Sequence, residues 1–179
     1  ADWTDRNTLQ IHAKSIRPSD LDPELCRKIR ASILLAGPLL ARCGEITLPP
    51  PGGDVIGRRR LDTHFLALER LGADVNADDK FELRAKTLVG ADVFLDEPSV
   101  TATENALVAA TAARGTTILR NAACEPHVQD LAHFLCTLGA RIDGIGTNTV
   151  TIHGGQTIGG GSHRIGPDHI EVGSFIGLA

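Results

Sequence analysis

Apolar positions along the chain alternate between two periods. Leu25, Ile29 and Ile33 fall at helical spacing, as do Leu61, Phe65 and Leu68, and again Val128, Leu131, Leu135 and Leu138. Residues 8–13, 81–85 and 149–154 instead alternate apolar and polar, as half-exposed strands do. Asp22 reads as an N-cap with Pro23 in the first helical position, and Pro38, which has no N–H, should kink the helix that follows. Thr101 to Glu104 has the spacing of a capping box opening a helix that runs to Gly115, and Asp62 reads as an N-cap.

The elements repeat. Leu61 to Val75 and Val128 to Ile142 share their apolar spacing at an offset of 67 residues, and each closes on Leu-Gly-Ala, with Gly72 or Gly139 where a helix end takes a left-handed residue. Ala41 to Leu48 and Ala113 to Leu119 both read as helix end, glycine, strand. The unit is helix, strand, loop, helix, strand, turn, strand. Residues 17–85 hold one copy, 86–154 another, and 1–16 look like the closing strands of a third. Residues 155–179 lead away from the last unit and end in an uncapped apolar run, so the chain looks cut at both ends.

The offset is not constant. Gly44 and Gly115 lie 71 residues apart, against 67 for Leu71 and Leu138, and the surplus of the earlier copy falls in residues 49–57. That segment, rich in proline and glycine and followed by Arg58, Arg59 and Arg60, is an insertion on a repeated scaffold, where function tends to sit.

Composition narrows the class. The chain has 179 residues, 42% hydrophobic and 3% aromatic, enough for one substantial core of small aliphatic side chains. A net charge of -4 without like-charge blocks argues against nucleic-acid or membrane-surface binding. No apolar run has the length of a transmembrane segment. The four cysteines, irregularly spaced, read as reduced, buried thiols of a cytosolic protein. No methionine occurs, so either the start was processed or this is a piece of a longer protein.

Several residues are candidates for chemistry. Gly52 and Gly53 beside the arginines suit a phosphate or carboxylate through backbone N–H groups and fixed charge, or form a solvated basic turn. Asp54 is a turn aspartate or a positioned proton carrier. Ser99, Val100 and Thr101 precede or open a helix, which serves capping or anion binding. His64 aligns with Leu131 and reads as a core histidine. Glu125 and Asp168 sit at element boundaries, and the seven histidines show no metal-ligand pattern.

The segment Pro51 to His64, with Arg30-Ala-Ser32, Ser99 to Asn105, Asn121 to Pro126 and Pro167 to Glu171, resembles the UDP-N-acetylglucosamine 1-carboxyvinyltransferase family of enolpyruvyl transferases, in order and at the family's spacing. The resemblance implies an inside-out α/β, barrel-like domain built from βαβαββ repeats, one of two flanking a cleft. It also implies transfer of enolpyruvyl from phosphoenolpyruvate to the 3'-hydroxyl of UDP-N-acetylglucosamine, without metal or redox cofactor. By matching position, Asp54 replaces the family's loop cysteine as acid/base, as in a subset of members, and should confer resistance to fosfomycin, which alkylates the thiol. Arg59 and Arg30 match residues at the phosphoenolpyruvate phosphate. Arg60, Leu61, Asp62 and Thr63 match the run around the uridine. Ser99, Val100 and Thr101 lie on the diphosphate side, and Glu125 and Asp168 among the carboxylates lining the cleft.

The chain departs from the family at Arg60, Glu97, Thr101 and His169. The family's upstream lysine-asparagine pair and the second domain, with its aspartate base, lie outside these residues, so the chain alone should not turn over. Two other readings fit the same pattern: enolpyruvyl transfer to shikimate 3-phosphate, and a non-catalytic repeat domain that binds a phosphorylated ligand or a partner.

Overall fold

The computed structural model describes residues 1–17, 21–53, 60–78 and 80–179. Strands β1 (Asp2–Asp5) and β2 (Thr8–Gln10) form an exposed antiparallel hairpin. Helix α1 (Pro23–Lys28) follows, capped by Asp22, whose carboxylate accepts from the amides of Glu24 at 2.8 Å and Leu25 at 3.3 Å. A 3-10 helix (Arg30–Leu35), α2 (Ala36–Cys43) and β3 (Glu45–Leu48) come next. Then come α3 (Asp62–Arg70) and the hairpin β4 (Asp74–Ala77) and β5 (Phe81–Arg84). The next unit has β6 (Asp92–Phe94), α4 (Val100–Ala112), β7 (Thr116–Arg120), α5 (Pro126–Thr137), β8 (Arg141–Asp143) and β9 (Thr149–His153). Helix α6 (His169–Leu178) ends the chain.

The duplication is visible in the sheets. The order β3-β5-β4 recurs as β7-β9-β8, antiparallel throughout, and the latter sheet adds β6 parallel to β7. Gly72 and Gly139 take φ of 95° and 109° at corresponding helix ends. The β3–α3 connection runs from 49 to 61, whereas its counterpart between β7 and α5 runs only from 121 to 125.

The three-stranded sheet lies on α2 and α3 and the four-stranded sheet on α4 and α5, with α3 also touching β6; α2 and α3 both pack on α4, so helices rather than strands occupy the centre. The sequence of α4 explains this. Ala102, Ala106, Leu107, Ala109 and Ala110 bury faces all round it, and a helix apolar on every side belongs inside. Its small side chains permit close approach: a Cβ on Gly37 of α2 would lie 2.6 Å from the Asn105 carbonyl oxygen.

Several local expectations change. The helix beginning at Pro23 is interrupted at Ile29, whose φ of -134° and ψ of 137° are extended, and Pro38 lies harmlessly in the first turn of α2, where no intrahelical N–H bond is owed. The cap of α4 is Ser99 rather than Thr101, with Ser99 Oγ accepting from the Ala102 amide at 3.4 Å. The cap position of α3 is Leu61; Asp62 is its first helical residue and turns its carboxylate to Arg60. Of the cysteines, all free, only Cys26 is buried, and Cys124 is exposed. No helix among the described residues is long and apolar enough to cross a membrane.

Candidate active site

Parallel pairing of β6 with β7 brings the ends of both strands, and the helices that follow them, to one edge. Leu95 N–H donates to the Arg120 carbonyl at 3.0 Å. Asn121, held at φ 57°, donates from Nδ2 to the Leu95 carbonyl at 2.8 Å. Thr103 Oγ1 then accepts from the Ala123 amide at 3.0 Å. The N-termini of α4 and α5 are thereby fixed beside each other, and Thr63 Oγ1 at the start of α3 joins them by donating to Asp96 Oδ1 at 2.7 Å. Three helix starts, each carrying partial positive charge, share this edge.

Arg60 sits at its centre. Its guanidinium donates to Asp62 at 2.9 and 3.0 Å, pairs with Asp96, and lies 3.8 Å from Glu97. Asp62 first, and Asp96 second, hold the Arg60 pKa above its ordinary value, while the Thr63 hydroxyl, and secondarily Arg60, hold Asp96 below the usual carboxylate range. Arg30 donates from Nη2 to the Arg60 carbonyl at 2.9 Å, tying the 3-10 helix to the start of α3. With its charge balanced by three carboxylates, Arg60 is suited to shape a pocket for hydroxyl and amide groups more than to hold a phosphate.

Beneath this surface, His64 is only 1% exposed. Asn105 Oδ1 accepts from the Gly37 amide at 2.8 Å, so its Nδ2 faces both the Ile33 carbonyl at 2.9 Å and His64 Nδ1 at 2.9 Å. Nδ1 must then accept, and the ring proton resides on Nε2, 3.1 Å from Thr101 Oγ1. Burial first, and the Arg30 charge second, pull the His64 pKa down to about 4, so the imidazole is neutral. The amides of Val100 and Thr101 at the start of α4 meet no acceptor among the described residues.

A second group lies along α4. Glu104 is pushed up by burial and by Glu125, against the opposing pull of His127. Glu125 occupies the cap position of α5, and its buried Oε2 has no partner among the described residues. His127 stacks on His169 with centroids 5.5 Å apart. Asp168 caps α6, accepting from the amides of Ile170 at 2.9 Å and Glu171 at 3.2 Å, which hold its pKa down. A cavity of about 540 Å³ opens between His127, Asp130, Ile165 and His169.

Of the residues singled out in the sequence, Arg30, Arg60, Leu61, Asp62, Thr63, Ser99, Val100 and Thr101 meet on one edge, whereas Glu125 and Asp168 belong to the second group. Asp54 and Arg59 lie outside the described residues. Gly52 and Gly53 act otherwise than expected: their amides donate to the Cys26 and Arg27 carbonyls at 3.1 and 3.3 Å, which leaves neither facing an anion. The sequence reading missed Asp96, whose only local signal is an acidic pair ahead of Pro98 and Ser99. It also missed Asn105 as the partner of His64. Among the described residues, no group of three or more His, Cys, Asp or Glu side chains is arranged to hold a metal ion.

The sequence profile described as EPSP synthase (3-phosphoshikimate 1-carboxyvinyltransferase) matches residues 3–179. A protein of Bradyrhizobium diazoefficiens named UDP-N-acetylglucosamine 1-carboxyvinyltransferase is 77% identical over 179 residues, all of this chain and 42% of its own length. One of the same name from Treponema denticola is 58% identical over 175 residues, 98% of this chain and 41% of its own. The chain thus spans under half the length of these relatives. Among solved structures, the enolpyruvyl transferase NikO from Streptomyces tendae superposes with a TM-score of 0.70 at 26% identity, over 88% of this chain and 38% of NikO. EPSP synthase from Acinetobacter baumannii, at 20% identity and a TM-score of 0.55 over 73% of this chain and 30% of its own, shares the fold.

Proposed function

The chain belongs to the EPSP synthase (3-phosphoshikimate 1-carboxyvinyltransferase) family, and from that premise we propose that it is part of an enzyme making the first committed precursor of peptidoglycan. The reaction moves the enolpyruvyl group of phosphoenolpyruvate to the 3'-hydroxyl of UDP-N-acetylglucosamine and releases inorganic phosphate. The observation that carries this reading is the 77% identity along the whole chain to a relative of that name. The acceptor reading is favoured over shikimate 3-phosphate for the same reason, although the family description itself names the shikimate reaction.

The geometry supports a division of labour. The amides of Val100 and Thr101, which meet no acceptor among the described residues, lie next to the Ser99 cap and suit the diphosphate, since a helix start offers aligned donors to an anion. Arg60, Leu61, Asp62 and Thr63, with Asp96 beside them, suit the uridine and its hydroxyl and amide edges. The family motif, rather than the described geometry, gives the remaining roles: Arg30 and Arg59 at the phosphoenolpyruvate phosphate, Asp54 as the proton carrier, and Glu125 and Asp168 lining the far part of the cleft. The rest of the polypeptide supplies the opposite wall. The site needs no cofactor, and the enzyme works in the cytoplasm, supporting cell shape and division, and resists fosfomycin through Asp54.

Phosphate release by the full-length protein tests this. Release should require both phosphoenolpyruvate and UDP-N-acetylglucosamine, fail with shikimate 3-phosphate, and fall at least a hundredfold in Asp54→Asn, in line with the ~10²–10⁴-fold typical of a lost acid/base. Release driven by shikimate 3-phosphate instead would reassign the acceptor. No release with either would leave a ligand-binding domain.

A further inference from the structure

The Thr101 hydroxyl is held unlike its neighbour's. Thr103 Oγ1 donates back to the Ser99 carbonyl at 2.8 Å, the usual resting place of a helical threonine hydroxyl. The corresponding carbonyl for Thr101 is that of Glu97, which takes the Ser99 amide at 2.8 Å but no bond from the Thr101 hydroxyl. Thr101 Oγ1 instead receives the Nε2–H of His64, and no acceptor for its own proton is present among the described residues.

The direction of that bond is set by the backbone. If His64 carried its proton on Nδ1, Asn105 would have to turn over. Its NH₂ would then face the Gly37 N–H, donor against donor, and its oxygen would face the Ile33 carbonyl. Two buried main-chain groups therefore fix the amide, the amide fixes the tautomer, and the tautomer fixes which way the Thr101 hydroxyl points.

We propose that His64 is a positioning residue for the diphosphate of the sugar nucleotide: its Nε2–H occupies one lone pair of Thr101 Oγ1 and commits the Thr101 hydroxyl proton to a ligand oxygen. The hydroxyl then acts with the Thr101 amide as a pair of donors on one residue at the start of α4. This rests on the enolpyruvyl-transfer reading and adds to it a reason for a buried neutral histidine behind the site.

Kinetics and spectroscopy of the full-length protein test it. Thr101→Val should raise KM for UDP-N-acetylglucosamine about tenfold with kcat little changed, the signature of a lost charge-assisted bond made equally in ground and transition states, and Thr101→Ser should restore it. His64→Phe should raise the same KM in the wild-type background and add nothing in Thr101→Val. In ¹⁵N-histidine-labelled wild type, which needs no substitution, the His64 signal at neutral pH should be that of the Nε2–H form. An Nδ1–H signal, or an equal effect of His64→Phe in both backgrounds, would overturn the positioning role while the reaction stands. Absence of turnover in the wild type itself would defeat the reaction, and the diphosphate role with it, before any variant is made.

Discussion

Asn105 Nδ2 and His64 Nδ1 lie 2.9 Å apart, and this bond ties α4 of one repeat unit to α3 of the other. The same amide also holds the 3-10 helix at Ile33 and α2 at Gly37. Replacing Asn105 by Leu leaves the Gly37 N–H and His64 Nδ1 buried without partners. At about 1–3 kcal/mol for each orphaned group, the unfolding free energy of the full-length protein should fall by about 3 kcal/mol. Denaturant titration measures this, and a loss under about 0.5 kcal/mol, the range of an inert surface change, would show that the hub holds nothing together.

His64 also gives the protein an acid-sensitive stability. Its pKa falls from 6.5 to about 4 on folding, so between those values the unfolded chain binds a proton that the folded chain refuses. Stability is fully present above pH 6.5 and declines as pH drops towards 4, by about 3 kcal/mol in all. The carboxylates held low, Asp92, Asp96, Asp130 and Asp168, act in a different window, since their stabilisation is lost only as pH falls below the ordinary value of 3.8. Denaturation midpoints measured from pH 7 to pH 4.5 should therefore decline in wild type and flatten in His64→Gln. An equal slope in both would assign the acid sensitivity elsewhere.

Gly52 is expected to tolerate no side chain. A Cβ there would lie 1.5 Å from the Arg27 carbonyl oxygen. Gly52→Ala must pull the segment off the end of α1, breaking the bonds of Gly52 and Gly53 to Cys26 and Arg27. Amide exchange at Gly52 and Gly53 should accelerate, and KM for phosphoenolpyruvate should rise because Asp54 and Arg59 follow directly in the chain. Unchanged exchange would mean that the contact with α1 does not hold residues 52 and 53.

Asp54→Cys in the full-length protein should create time-dependent, irreversible inactivation by fosfomycin where the wild type shows none, because a thiolate attacks the epoxide and a carboxylate does so poorly. Mass analysis should find the adduct on residue 54. Persistent resistance would remove Asp54 from the reactive position.

The repeat was readable because it is written in local spacing. Leu61, Phe65 and Leu68 sit one helical turn apart whatever lies beside them, and the glycines at 72 and 139 mark helix ends by the left-handed φ each adopts. His64 could be assigned to the core because its counterpart, Leu131, is apolar. The break at Ile29 was less legible: Leu25, Ile29 and Ile33 keep a helical period, yet the structure leaves Leu25 and Ile29 exposed and buries Ile33, so the period there does not report one continuous helix. The cap of α4 slipped by two residues because Ser99 and Thr101 both offer an oxygen and only the backbone angles select between them, whereas at α3 the cap position fell to Leu61, which offers none, and Asp62 pairs with Arg60 instead.

Sequence by itself determined the repeat unit, the insertion after β3 and the family motifs, all of which depend on residues near one another in the chain or on an ordered pattern of types. Tertiary structure alone decided the partners. Arg60 meets Asp96 and Glu97 only because α3 packs beside β6, and the Gly52 and Gly53 amides are taken by α1 because residues 52 and 53 lie against its end. Asn105 reaches Gly37 and His64 because small side chains let the central helices approach. Spacing fixes the direction a side chain leaves its own element; what it meets is set by packing between elements distant in sequence, and in this protein that packing fixes the proton on His64.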